Sequence, residues 1–201
     1  MPSLDVYPYQ WASAGNMPLR NTIDKQINRK YSTYMQTFLP YGSDFKRGAE
    51  SLDYRRLVKQ AVEGYQILRA LSGVTQGWRN HPATKMWKGH EGWLIAYLGA
   101  ILDEMDRRGY STATRYKIHE LADQAFPDAD TDVAPPWLRD ERVAITHRGR
   151  LYEKDPAFYS AFAIDSLVYK QYTCCERCNY YWPTHTDDYG WIRLNDRLEK
   201  M

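Results

Sequence analysis

The segment 94–105 constrains the chain most. Leu94, Leu98, Ile101, Leu102 and Met105 recur at the i, i+4, i+7, i+8, i+11 spacing of one helix face. The run closes on "RRGY", with Arg107 and Arg108 in the last turn and Gly109 placed to stop the helix. A helix with so narrow an apolar stripe must lie against other helices. A second stripe, Leu57, Ala61, Tyr65 and Leu68, predicts its neighbour: a helix that opens near Asp44. Arg56, Lys59, Glu63 and Gln66 fall on the opposite side, where an ordinary solvated face is the simplest expectation. A third helix is expected over 112–125 and a fourth from about Asp140. A further helix start is expected in "KDPAFYSAF", with Asp155 as N-cap and Pro156 at the first helical position. "MQTFLPY" (35–41) reads as a short strand or extended segment, and "PDADTDVAPPW" as a loop. The fold class is therefore mainly α, with one compact helical domain.

The chain has 201 residues, enough for one domain with a real core. Residues 1–34 carry scattered prolines and little periodicity. They read as an N-terminal arm with at most one short helix, near Thr22–Tyr31. The expected organisation is that arm, a helical domain over 35–183, and a charged tail over 184–201. No apolar run approaches the roughly 20 residues of a membrane span, and the N-terminus lacks the pattern of a secretory signal. Cys174, Cys175 and Cys178 are odd in number and clustered, which argues against a disulfide framework and for a reducing cytoplasm. Cys175 and Cys178 form one C-x-x-C pair, too little for a zinc site without further ligands, so no metal or other cofactor is expected. Walker A and G-x-G-x-x-G loops and the G-x-S-x-G elbow are absent, which removes support for nucleotide hydrolysis, dinucleotide chemistry and serine hydrolysis.

Net charge is only +2, but its distribution is uneven. From Phe45 to His90 there are nine Lys or Arg against three acids, while from Glu120 to Glu141 there are seven acids against one Arg. Inside the basic part lies "GWRNHPATKMWKGHE" (77–91), dense in cations, Trp and His. Such a mixture suits a nucleic-acid surface, where cations neutralise phosphates and aromatic faces stack on unpaired or flipped bases. The competing expectation is that Trp78, Trp87 and Trp93 pack the core. Each of His81, His90 and His147 alone reads as a structural histidine.

Six blocks in order, "QTFLPYGSDFKRGAESLDYRRLVKQAVEGYQIL", "GWRNHPATKMWKGHE", "RRGY", "PPWL", "HRGRLYEKDPAFY" and "YYWP", resemble a bacterial and phage family of pyrimidine-dimer DNA glycosylases, distantly related to the phage repair enzyme endonuclease V. The resemblance spans about 35–183 and implies an endonuclease V-like helical domain that binds and kinks duplex DNA. It implies a nucleophile that is an α-amine, attacking the sugar C1′ to form an imine with help from a glutamate in the first helix. A gapless match places the amine at Met35, behind the arm, and the glutamate at Arg56. Arg55 and Lys59 fall where that family's phosphate-binding arginines lie. Glu63, about 10 Å further along the helix face, is the replacement acid, with His147 as helper. Removal of Met1 would expose the amine of Pro2 as an alternative nucleophile. Arg55, Arg56, Lys59, Gln60, Arg79, Asn80, His90, Arg148 and Lys154 are the expected DNA-binding set, with Trp78, His81 and Trp87 stacking at the lesion. The segment 166–180 reads as an insertion beyond the family pattern. Two further readings stay open: a group transferase that modifies DNA bases on the same platform, and a DNA-binding protein without chemistry.

Overall fold

The computed structural model describes residues 35–174 and 178–183; the arm with Pro2 and the expected 22–31 helix, Cys175, and the tail from residue 184 lie outside them. Among the described residues there are seven α-helices and no strand. In chain order they are α1 (Phe45–Glu50), α2 (Tyr54–Leu71), α3 (Pro82–Trp87), α4 (Glu91–Arg107), α5 (Thr114–Ala125), α6 (Glu141–Lys154) and α7 (Ala163–Val168). Short 3-10 turns cover Pro136–Arg139, Ser160–Phe162 and Tyr169–Tyr172.

The core is the pairing of α2 with α4. Leu57, Ala61, Ile67 and Leu68 from α2 meet Leu94, Leu98, Ile101 and Leu102 from α4, and all are at most 1% exposed. Removing each such Leu or Ile side chain from water contributes roughly 1.5–3 kcal/mol. The helix expected from Asp44 is interrupted. Asp44 caps only the six residues of α1, the chain turns at Ser51–Leu52, and Asp53 opens α2 by accepting the N–H groups of Arg55 and Arg56. "RRGY" proves to be a clamp. Glu104 binds Arg107 and Arg108, and Arg108 also donates to the carbonyls of Leu52 (2.7 Å) and Glu50 (2.9 Å), fixing the turn between α1 and α2. Gly109 takes a positive φ of 72°, as its stop position requires.

Two expectations need correction. "KDPAFYSAF" does not start a helix at Pro156: the Asp155 carboxylate accepts the Phe158 N–H at 3.1 Å, which makes a turn, and α-helix begins only at Ala163. The face of α2 that carries Glu63 is solvated only in part: Lys59 is exposed, but residues 35–39 run across Glu63 and bury it. Met35, Gln36, Thr37, Phe38 and Leu39 are all at most 5% exposed.

The acidic loop before α6 is fixed by a close approach. A Cβ on Gly92 would lie 1.9 Å from the Asp130 carbonyl oxygen, a backbone atom that cannot rotate away. We expect Gly92→Ala to destabilise the fold by about 2 kcal/mol, read as a lower urea midpoint with an unchanged m-value. An unchanged midpoint would mean that the loop does not sit on α4 in solution.

Candidate active site

Two helical stripes face each other across the extended segment 35–39. On α2, Arg56, Gln60 and Glu63 stand at i, i+4, i+7, with Lys59 beside them. On α6, His147, Arg150 and Lys154 stand at i, i+3, i+7. Tyr180 lies edge-on to both His147 (5.4 Å) and Phe38 (6.3 Å).

Glu63 is the centre of the arrangement. It is 7% exposed, and burial raises its carboxyl from 4.5 to about 7. Opposing that shift are Lys59, whose Nζ lies 3.3 Å from Oε1, a hydrogen bond from the Gln36 main-chain N–H, and the charge of Lys154. The side-chain amide of Gln60 donates to Oε2 at 3.3 Å. Near neutral pH the group is thus divided between acid and base forms, which suits proton transfer in either direction.

The cations around it differ in availability. Lys59 and Arg55 are exposed, and Lys154 sits at the rim. Desolvation and the charges of Arg150, Lys59 and Arg56 hold the Lys154 ammonium below its ordinary value. Arg56 is half spent: it binds Asp53 (3.1 Å) and the Lys154 carbonyl (3.3 Å). The Asp53 carboxylate is in turn fixed by the Tyr159 hydroxyl. Arg150, which sequence reasoning missed, pairs with Glu153, while its Nε is buried without an acceptor among the described residues. Its i, i+3, i+7 relation to His147 and Lys154 was the signal that could have found it.

The remaining expected residues divide clearly. Gln60 is fully buried; its Oε1 accepts the Phe38 N–H (2.7 Å) and the Tyr97 hydroxyl (2.6 Å), so it braces Glu63 and cannot reach a phosphate. His147 is fully buried, and burial lowers it to about 3. Its Nδ1 accepts the Leu39 N–H at 2.9 Å and its Nε2 lies 3.1 Å from the Gln36 amide, so it holds the extended segment in place. Arg148 spends its guanidinium on Asp165, Glu141 and the Pro40 carbonyl. Trp87 has no exposed surface and donates its indole N–H to Thr37 at 3.0 Å, so it is a core residue that cannot stack on a base. Trp78 is half-buried and holds a φ of 67°, strained for a bulky side chain. It packs edge-on against His81, which caps α3 by accepting the Ala83 N–H and is lowered to about 4 by burial. Arg79 and Asn80 are exposed at the tip of that loop, and His90 is half-buried before α4. A ring series from Trp78 through His81 and Trp182 to Tyr180 joins the loop to the Glu63 site. Among the described residues no cluster of three metal-binding side chains occurs; Cys178 is among them and Cys175 is not.

The arrangement is thus one titrating carboxyl with buried polar bracing and cations at its mouth. Residues 35–118 match the pyrimidine dimer DNA glycosylase family. The glycosylase match takes in the extended segment, α1 to α4 and the opening of α5, and so includes Arg55, Lys59, Glu63 and the 77–90 loop. It stops before α6, so His147, Arg150 and Lys154 stand on geometry alone. No curated protein and no solved structure matches the chain. No helix among the described residues is long and apolar enough to cross a membrane.

Proposed function

We propose that the protein is a DNA glycosylase acting on damaged or modified pyrimidines in duplex DNA, with Glu63 as its proton-transfer group. The observation that carries this reading is the Glu63 carboxyl, buried, raised to about 7 and braced by Gln60, Lys59 and the Gln36 N–H. Lys59, Arg55 and Lys154 would hold the phosphates flanking an extruded nucleotide. Extrusion costs a few kcal/mol and least for a damaged pair, which supplies part of the selectivity.

The finer reading is that cleavage proceeds through an imine. An amine attacks C1′, forming an N–C1′ bond as the C1′–N1 bond to the pyrimidine breaks. The base leaves with that electron pair and takes up a proton. Transfer of an amine proton to Glu63, and of that proton on to O4′ as the nitrogen lone pair opens the sugar C1′–O4′ bond, then gives the protonated imine. The Gln36 main-chain nitrogen already donates to Glu63. Cleavage of the chain before Gln36 would therefore turn a nitrogen beside the acid into an α-amine. An α-amine is partly neutral near pH 7, unlike an ordinary lysine.

The test uses a duplex with one cyclobutane pyrimidine dimer. The 5′ base of a dimer stays linked to its neighbour, so glycosylase action is read as an alkali-labile break rather than as a released base. We expect that break, and a covalent adduct on adding borohydride, with peptide mapping placing the adduct at Gln36. Breaks without an adduct would leave a glycosylase that uses water and discard the imine. Tight duplex binding with neither, on dimers and on abasic sites alike, would overturn the glycosylase reading in favour of base modification or binding alone.

A further inference from the structure

A second cavity, of about 360 Å³, lies between the end of α3 and the 3-10 turn at Pro136–Arg139. Lys85, Lys88 and His90 line it, with Trp137, Asp140 and Pro183. Nothing in the Glu63 site uses it.

Three features define what it can take. First, its free charge is positive. Lys85 and Lys88 are exposed, and neither has an acid partner among the described residues. Asp140, the one acid in the wall, is already spent: its carboxylate caps α6 and is held by the guanidinium of Arg142 at 2.6 and 2.9 Å. Second, one wall is a buried indole. Trp137 is 5% exposed, and its indole N–H is buried without an acceptor among the described residues. Third, the wall is rigid. The Trp137 ring is set edge-on against Trp87 at 4.7 Å, and His90 closes on its other side at 6.4 Å. Two cations without acid partners among the described residues, beside a fixed concave wall, select a compact oxyanion of phosphate type.

Its position says which phosphate. Pro183 borders the cavity, its neighbour Trp182 touches His81, and Tyr180 lies between Trp182 and the His147–Phe38 side of the Glu63 site. Residues 180–183 thus run as one segment from beside the Glu63 site to the cavity. We propose that Lys85, Lys88, His90 and Trp137 form a phosphate-binding subsite that takes a backbone phosphate of the duplex beyond the lesion. This rests on the glycosylase reading but uses none of its catalytic groups.

The test measures binding of a duplex carrying a tetrahydrofuran abasic analogue across a range of salt. Each phosphate that the protein ceases to neutralise lowers the slope of log K against log[salt] by about 0.9. For Lys85→Ala/Lys88→Ala we expect that shallower slope and weaker binding, with turnover at saturating DNA unchanged. The control pair Lys46→Ala/Lys117→Ala, exposed lysines outside the cavity, should keep a steeper slope than the test pair does. Equal slopes for the two double variants would overturn the proposal. So would inorganic phosphate that competes with the unaltered protein's DNA binding but not with that of Lys85→Ala/Lys88→Ala, while the duplex slope stays the same; the subsite would then serve a free anion. Loss of all chemistry in dimer assays with the slope difference intact would overturn the glycosylase reading and keep the subsite. Failure of the unaltered protein to bind duplex at all would overturn both.

Discussion

Replacing Glu63 by Gln is expected to lower the rate of glycosidic cleavage by about 10²–10⁴, the range for removing a positioned proton-transfer group, while duplex binding changes little. Gln keeps the size of the side chain, so the effect isolates the proton. The pH dependence makes the test specific. Burial raises the carboxyl from 4.5 to about 7 in the folded protein. Between those values the folded state holds a proton that the unfolded chain has lost, so stability falls as pH rises through that window. The full loss above pH 7 amounts to about 3 kcal/mol. Glu63→Gln removes it. Urea unfolding of both proteins at pH 5 and pH 8 should therefore show the variant gaining about 2–3 kcal/mol relative to the parent at the higher pH. His147 and His81, both lowered by burial, work in the opposite direction but are common to the two proteins and cancel in the difference. Parallel stability profiles would show that the carboxyl is not desolvated, and unchanged cleavage would remove it from the mechanism.

What the sequence disclosed and what it hid follow from the range of the interactions involved. The stripe from Leu94 to Met105 is local, and all five residues are buried as expected. The stop at Gly109 is local too. Glu63 was legible as a candidate acid but not as a buried one, because its cover comes from residues 35–39, more than twenty positions away. Helical spacing alone put it on a solvated face. Trp87 and Gln60 were misread for the same reason, since their partners Thr37, Phe38 and Tyr97 are remote in sequence. On α6 the difficulty was angular. Arg148 and Arg150 are two residues apart and so point to nearly opposite sides; the first binds Asp165 and Glu141, the second pairs with Glu153 on the side of Lys154. Composition could not choose between them. The resemblance blocks also divide once folded. "RRGY" supplies a structural clamp on the α1–α2 turn, "HRGRLYEKDPAFY" supplies both the α6 stripe and the Tyr159 hydroxyl that holds Asp53, and "YYWP" supplies the wall between the two sites.

Gln60→Leu should cost more stability than any surface change near the site, roughly 3–5 kcal/mol. The side chain has no exposed surface. Its carbonyl oxygen accepts two donors, the Phe38 N–H at 2.7 Å and the Tyr97 hydroxyl at 2.6 Å, and its amide donates to Glu63 at 3.3 Å. Leucine fills a similar volume but leaves both donors buried and unmet, and one carboxylate oxygen loses its brace. Against the 5–15 kcal/mol total of a typical domain, that loss brings the unfolding transition down sharply, and it should be visible in a urea titration. Gln60→Glu separates the causes. It keeps an acceptor for Phe38 and Tyr97 but sets a second carboxyl against Glu63, where two adjacent negative charges cannot both be held. Its stability should lie near the parent's at pH 5 and fall well below it at pH 8, whereas Gln60→Leu should be impaired at both. Lys59→Met supplies the contrast, because its partner is buried but its own side chain is 56% exposed; losing that ion pair should cost about 1 kcal/mol or less. If Gln60→Leu unfolds like the parent, residues 36–38 do not lie across α2, and the Gln36 nitrogen loses its place beside the acid.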